Sequence, residues 1–182
     1  MKAQQRKRKR MQSEKEPVNA RNAIVIVREF DAPRDLVWQA WTEKEHIEKW
    51  FGPKGFDTRV DHLELKTGGE IHHTMIGPDG TEYPSKGTFL EIDAPRKLVS
   101  TDEFGEGSEE IPAFKDVKLP EAMVTTVEFE DLGERCRITA TISHATEEDR
   151  KRHEEMGVLE GWNSTFDCLV DYLATVAKGD KR

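Results

Sequence analysis

The sequence predicts a single α+β domain in which one strand and two short helices precede an antiparallel meander of six strands and a long terminal helix. Three observations predict it. A β-branched run at residues 22–30 gives way at once to helix-start chemistry. Between residues 56 and 143 the pattern changes to short strand-like segments separated by turn residues. From Met156 to Val176 apolar side chains recur at helical spacing.

The first segment, NAIVIVREF, reads as a strand. In DAPRDLVWQAW, Asp31 is the expected cap and Pro33 falls in the first turn, where its missing N–H costs nothing. Val37, Trp38 and Trp41 then share one helix face. TEKE at 42–45 has capping-box spacing, so a second short helix follows directly, presents Ile47, Trp50 and Phe51 on one side, and stops at Gly52-Pro53. FDTRVDHLEL and TGGEIHHTMIGPDGTEY carry the next strands, with a hairpin turn at Pro78-Asp79-Gly80. SKGTFLEIDAPRKLVSTDEF adds two around Asp93-Ala94-Pro95. After the long loop GEGSEEIPAFKDVKLP comes a final hairpin about Leu132-Gly133. TEED at 146–149 is a second capping box. A helix unbroken from 147 to 177 would be about 45 Å long, with Gly157 and Gly161 able to bend it or admit a neighbouring backbone.

Composition bounds the function. At 182 residues, 35% hydrophobic and 35% charged, the chain suits one domain with a heavily charged surface. No apolar run reaches the roughly 18 residues that span a bilayer, and no hydrophobic stretch backs the basic start as a secretory signal would require. Two cysteines make no disulfide framework, so a reducing compartment, the cytoplasm, is expected. Net charge is −8 although the first ten residues contribute +6, which leaves −14 for the rest. Such a body repels phosphates and is a poor nucleic-acid binder. The basic run reads as part of a disordered tail over residues 1–20, with the domain over 21–178.

Strand alternation selects candidate polar groups. In EIHHTMI, Ile71 and Met75 mark the inward face, so His73 points inward with them. It is either a core histidine bonded to a neighbouring strand or water, or a group that orients a ligand or takes a proton. On the sixth strand Met123, Thr125, Val127 and Phe129 face in, which sets the Thr125 hydroxyl on an apolar wall. There it would fix a ligand or bond a backbone carbonyl. Asp102 and Glu103 take no assigned face, because Leu98 and Val99 are both apolar; one of them could meet His73. Metal binding lacks ligand spacing: His72 and His73 alternate to opposite faces, and no CxxC or HExxH occurs. Cys136 and Cys168 read as small buried hydrophobes, and no nucleophile elbow or phosphate loop is present.

FDAPRDLVWQAWTEKEHIEKWFGPKGF, GGEIHHTMIGPDGTEY, GTFLEIDAPRKLV and GWNSTFDCLVDYL, in that order, resemble the activator-of-heat-shock-protein-90-ATPase homologue-like family. That family belongs to the START-like, birch-pollen-allergen-like (SRPBCC) superfamily. The resemblance covers about residues 22–177. It implies a helix-grip fold, a curved seven-stranded antiparallel sheet around the C-terminal helix, with a cavity between them for an apolar, aromatic or lipid-like small molecule. Trp50, Phe51 and Phe56 would close its open end. Ile71, His73, Met75, Phe89, Met123, Thr125 and Val127 would line the sheet side, and Met156, Leu159, Trp162 and Phe166 the helix side. These residues are the expected ligand contacts; no catalytic residue, metal or cofactor is assigned. The resemblance also implies two other functions. One is a co-chaperone-type interaction module, although a short charged tail stands where such co-chaperones carry a separate N-terminal domain. The other is a cyclase- or hydrolase-type enzyme. A monomer or a homodimer with exposed aromatics at the contact fits all three.

Overall fold

A computed structural model describes residues 20–179. The tail expected at residues 1–20 lies, except for its last residue, outside the described residues.

The elements follow the expected order. β1 (Ala23–Phe30) leads to α1 (Arg34–Thr42) and α2 (Lys44–Trp50). The meander is β2 (Asp57–Leu63), β3 (Glu70–Ile76), β4 (Glu82–Asp93), β5 (Lys97–Phe104), β6 (Met123–Asp131) and β7 (Cys136–Ser143), and two helices, α3 (Glu147–Glu155) and α4 (Val158–Gly179), end the chain. Single 3-10 turns at Ser108–Glu110 and Pro112–Phe114 break the loop between β5 and β6.

All seven strands form one antiparallel sheet in the order β1-β7-β6-β5-β4-β3-β2. Every neighbour is sequential except β1, which closes on β7 with Ile24 opposite Ile142 and Ile26 opposite Ala140. With the long helix packed on it, the sheet makes an α+β helix-grip fold. Period two fixes what faces the helix. Met123, Thr125, Val127 and Phe129 of β6, and Cys136, Ile138, Ala140 and Ile142 of β7, are all buried, as the alternation requires. Phe166, Leu169 and Leu173, at three- and four-residue spacing on α4, fill the space opposite them.

The caps depart from expectation at two places. Asp31 does not cap α1: Pro33 holds that position, its carbonyl accepting from the N–H groups of Leu36 and Val37, while the Asp31 carboxylate accepts from Arg135 at 3.1 Å. TEKE is not a capping box either, because the Thr42 hydroxyl donates back to the Trp38 carbonyl at 2.8 Å, leaving Glu43 as a cap without a side-chain bond. Thr146 does cap α3, accepting from the Asp149 N–H at 3.0 Å and donating its hydroxyl to the Asp149 carboxylate at 2.8 Å. The terminal helix is two helices. Gly157 adopts φ +84°, a left-handed conformation that ends α3 and that a side chain would strain.

Candidate functional site

Between the sheet and the start of α4 lie two adjoining hollows that share Phe51, His73, Asp102 and Trp162. The outer lobe, about 200 Å³, is bounded by Met75, Ser85, Phe104 and Met123 from the sheet and by His153, Val158, Gly161 and Thr165 from the helices. The inner lobe, about 90 Å³, reaches Ile71, Phe89, Leu98, Thr125 and Val127 of the sheet and Trp41 of α1. Together they approach the roughly 300 Å³ at which small-molecule sites begin.

The break at Gly157 positions the helix wall. It turns α4 so that Val158, Gly161, Trp162 and Thr165 meet the outer lobe, while Thr165 donates its hydroxyl to the Gly161 carbonyl at 2.8 Å. Nothing lies within 4 Å of where a Cβ on Gly161 would stand, so the missing side chain keeps the lobe open. The loop after α2 closes that end, its Lys54 N–H donating to Ser164 Oγ at 2.8 Å. Trp41, Phe51 and Trp162 form the aromatic wall: Trp41 and Trp162 lie parallel with centroids 6.1 Å apart, and Phe51 stands edge-on to Trp162 at 5.9 Å.

Nine of the residues expected to contact a ligand line the hollows: Phe51, Ile71, His73, Met75, Phe89, Met123, Thr125, Val127 and Trp162. The other five sit elsewhere. Trp50 is 2% exposed and gives its indole N–H to the Ala40 carbonyl at 2.8 Å, locking it into the packing of α1 on α2. Phe56 leaves the aromatic wall to pair with Tyr83 at the β3–β4 hairpin. Phe166 is wholly enclosed by Phe30, Trp41 and Trp162. Met156 falls in the break between the helices, and Leu159 is 38% exposed, because the turn at Gly157 shifts the inward face to Val158 and Trp162.

The titratable side chains of the hollow are His73, Asp102, Glu103, His153 and Lys86. His73 takes the partner that strand pairing offers it: the Ser85 hydroxyl lies 2.9 Å from its Nε2, and the ring stands edge-on to Phe51. Burial lowers its pKa to about 4, against the opposing pull of Asp61, so the imidazole is neutral. Asp102 opens onto both lobes and makes no side-chain hydrogen bond among the described residues; burial first, then the charge of Glu103, raise its pKa to about 6. It is not paired with His73, so the acid–base contact considered from sequence does not form. His153 comes from α3. The Asn22 carbonyl can only accept, so His144 Nδ1 donates to it at 3.0 Å, and His144 Nε2 is left to accept from His153 Nδ1, also at 3.0 Å. That assignment leaves His153 Nε2 as a bare acceptor on a residue lining the outer lobe. Burial, then His144, bring the His153 pKa down to about 4.

Thr125 is 8% exposed, and its Oγ1 has no hydrogen-bond partner among the described residues. An unpaired buried hydroxyl costs about 1–3 kcal/mol. Thr125→Val keeps the shape and removes that cost, so the ligand-free protein should gain about 1 kcal/mol, or roughly 2–4 °C in a thermal melt. A loss of stability would show that the hydroxyl is already satisfied.

Sequence reasoning missed Trp41, Ser85, His153 and Thr165, and it left Asp102 without a face. Asp102 was readable in principle: Leu98, Ser100 and Asp102 alternate onto the inner lobe, and Leu98 marks the face. No hydropathy signal flags His153, which sits in the very polar α3.

A family model described as Activator of Hsp90 ATPase homolog 1-like protein matches residues 31–174. A protein of Arthrobacter aurescens, solved by solution NMR, is 30% identical over 88% of this chain and 90% of its own, with a TM-score of 0.76. A crystal structure from Nitrosomonas europaea is 32% identical over 88% of this chain and 99% of its own, at 0.71. The AHSA1 protein of Silicibacter pomeroyi, 20% identical over 84% of this chain and 98% of its own, shares the fold at 0.64. No curated protein matches. Among the described residues no helix is long and apolar enough to cross a membrane.

Proposed function

The chain belongs to the activator of Hsp90 ATPase homolog 1-like family, and from that premise we propose that it is a receptor for a small molecule with a ring-sized apolar body. The observation that carries this reading is the hollow itself, walled by Trp41, Phe51 and Trp162 and holding the unpaired Thr125 hydroxyl. Apolar pockets with a few convergent polar groups are the usual form of ligand sites. A cavity of roughly 150 Å³ already accepts benzene, and the outer lobe exceeds that at about 200 Å³.

The contents of the hollow argue against the enzyme reading. Ser85 beside His73 looks like a nucleophile and its base, but the hydroxyl lies 2.9 Å from Nε2 and 3.3 Å from Nδ1 of the same ring, shared between the two nitrogens rather than directed at one. Among the described residues no carboxylate is hydrogen-bonded to the ring, Asp61 acting on it only through its charge, and an imidazole at about 4 is a weak base. Burial also pushes the Cys136 thiol up to about 11, away from the reactive thiolate. The family description supports a second reading, a protein partner of chaperone type. An Hsp90 ATPase assay with added protein tests it, and an unchanged rate removes it.

Gly161→Leu tests the receptor. The position is helical with open space beyond it, so the leucine fills the outer lobe while helix propensity improves by up to about 1 kcal/mol. Native mass spectrometry of wild type should show a retained small molecule, or a thermal-shift panel of apolar and aromatic compounds should raise the melting temperature. The leucine variant should be as stable as wild type and lose both signals. If wild type retains nothing and responds to nothing, or the variant responds equally, the receptor reading is wrong.

A further inference from the structure

We propose that the hollow selects a ligand bearing a cationic amine, with Asp102 as counter-ion and Trp41, Trp162 and Phe51 as the walls around its apolar body. This rests on the receptor reading and adds the ligand's charge.

The argument starts from what the hollow lacks. Asp102 faces both lobes without a hydrogen-bonding partner, and the side chains nearest it in the site do not supply a fixed cation. His73 on β3 is neutral and engaged with Ser85; His153 on α3 is neutral and offers Nε2 as an acceptor; Glu103 on β5 is a second anion. Lys86 on β4 is the basic side chain of the inner lobe, but its Nζ lies 3.9 Å from Glu103 and its side chain is half exposed, which draws the charge outward. Arginine contributes nothing to either wall among the described residues.

A carboxylate half-buried in an apolar hollow, with no partner among the described residues, carries a desolvation cost, and a cation brought by the ligand would offset it. Thr125 offers the same message from the inner lobe: its buried, unpaired oxygen can accept one more hydrogen bond. An ammonium brings three donors and a charge. It answers Asp102 directly, and the faces of Trp41 and Trp162 favour a cation placed over them. A ligand carboxylate would meet Asp102, Glu103 and the bare His153 nitrogen with repulsion. A neutral alcohol would bond Asp102 without compensating its charge.

Three probes with one ring and one linker separate these cases: phenethylamine, 2-phenylethanol and phenylacetate, titrated into wild type and Asp102→Asn by calorimetry near pH 7.5. Phenethylamine should bind wild type at least tenfold more tightly than the alcohol, and phenylacetate most weakly. Asp102→Asn should bring the amine down to the level at which the same variant binds the alcohol. The amine assignment is overturned if phenylacetate matches the amine, if amine and alcohol bind alike, or if the asparagine variant keeps the preference. It also falls, while the receptor reading stands, if no probe binds but wild type retains an uncharged or anionic molecule in native mass spectra. Silence from all three, with nothing retained and no response in the thermal-shift panel, overturns both.

Discussion

Phe166→Ala is expected to lower the melting temperature by about 10 °C, the largest loss of any single side chain considered. The residue is 0% exposed and seats α4 on the sheet. Its ring meets Phe30 edge-on at 5.6 Å and lies tilted on Trp162 at 5.4 Å and Trp41 at 6.1 Å. Removing a buried phenylalanine costs about 3–5 kcal/mol in lost transfer energy and residual cavity, and each kcal/mol is worth about 2–4 °C in a domain of this length. Against a typical total of 5–15 kcal/mol, the variant keeps its fold with much of its margin gone. Circular dichroism melts of the two proteins measure the difference. A drop below about 3 °C would mean that α4 is not held at this point.

Leu159 makes the complementary case. Two turns earlier on the same helix, it belongs to the same apolar stripe in sequence, yet it is 38% exposed. Leu159→Ala should cost under about 0.5 kcal/mol, the usual range for a surface change, and equal damage from both variants would place the inward face of α4 wrongly.

The contrast shows what periodicity can and cannot convey. Strand alternation placed β6 correctly residue by residue, because a one-residue slip would bury every polar side chain of the strand. The terminal helix was legible as a stripe but not as two helices. Gly157 was singled out as a possible bend, yet a glycine can equally serve for close approach, and only its left-handed φ decides between them. Once the chain turns there, Met156 and Leu159 leave the inward face and Val158 takes it. The aromatic cluster at 41–56 was equally ambiguous. Hydrophobicity calls for burial of Trp50, Phe51 and Phe56 alike, but the hydrogen bond from the Trp50 indole to Ala40 and the reach of Phe56 toward Tyr83 are decided by tertiary contacts. Of the three, Phe51 alone reaches the hollow. His153 belongs to the site through a hydrogen-bonded neighbour, His144, nine residues earlier in the connection after β7, a relation carried by no local pattern.

Asp102→Asn should make the protein more stable at neutral pH, and the gain should vanish in acid. Burial raises the carboxyl from its ordinary 3.8 to about 6 in the folded chain. Between those values the unfolded chain has already released the proton and the folded chain still holds it. Stability therefore falls as pH rises through this window and stays lower above it. A rise of that size is worth about 3 kcal/mol at 1.36 kcal/mol per tenfold, and access of water through the hollow brings it to roughly 2 kcal/mol. Asparagine has the same shape without the ionisation. At pH 7.5 it should raise the melting temperature by about 4–8 °C, and below pH 4 the two proteins should melt together. His73 and His153, both lowered to about 4, act in the opposite sense: their unfolded forms take up protons first as pH falls below about 6.5. Wild type thus carries one acidic group that offsets part of their acid sensitivity, and the asparagine variant should lose stability more steeply between pH 6.5 and 4. Melts across pH 3.5–8 measure both slopes. If the variant is less stable at neutral pH, Asp102 has a partner inside the folded chain and no longer calls for a cation from outside. If it is more stable, the carboxylate is a cost that the empty fold carries, which is the condition expected of a group kept for binding.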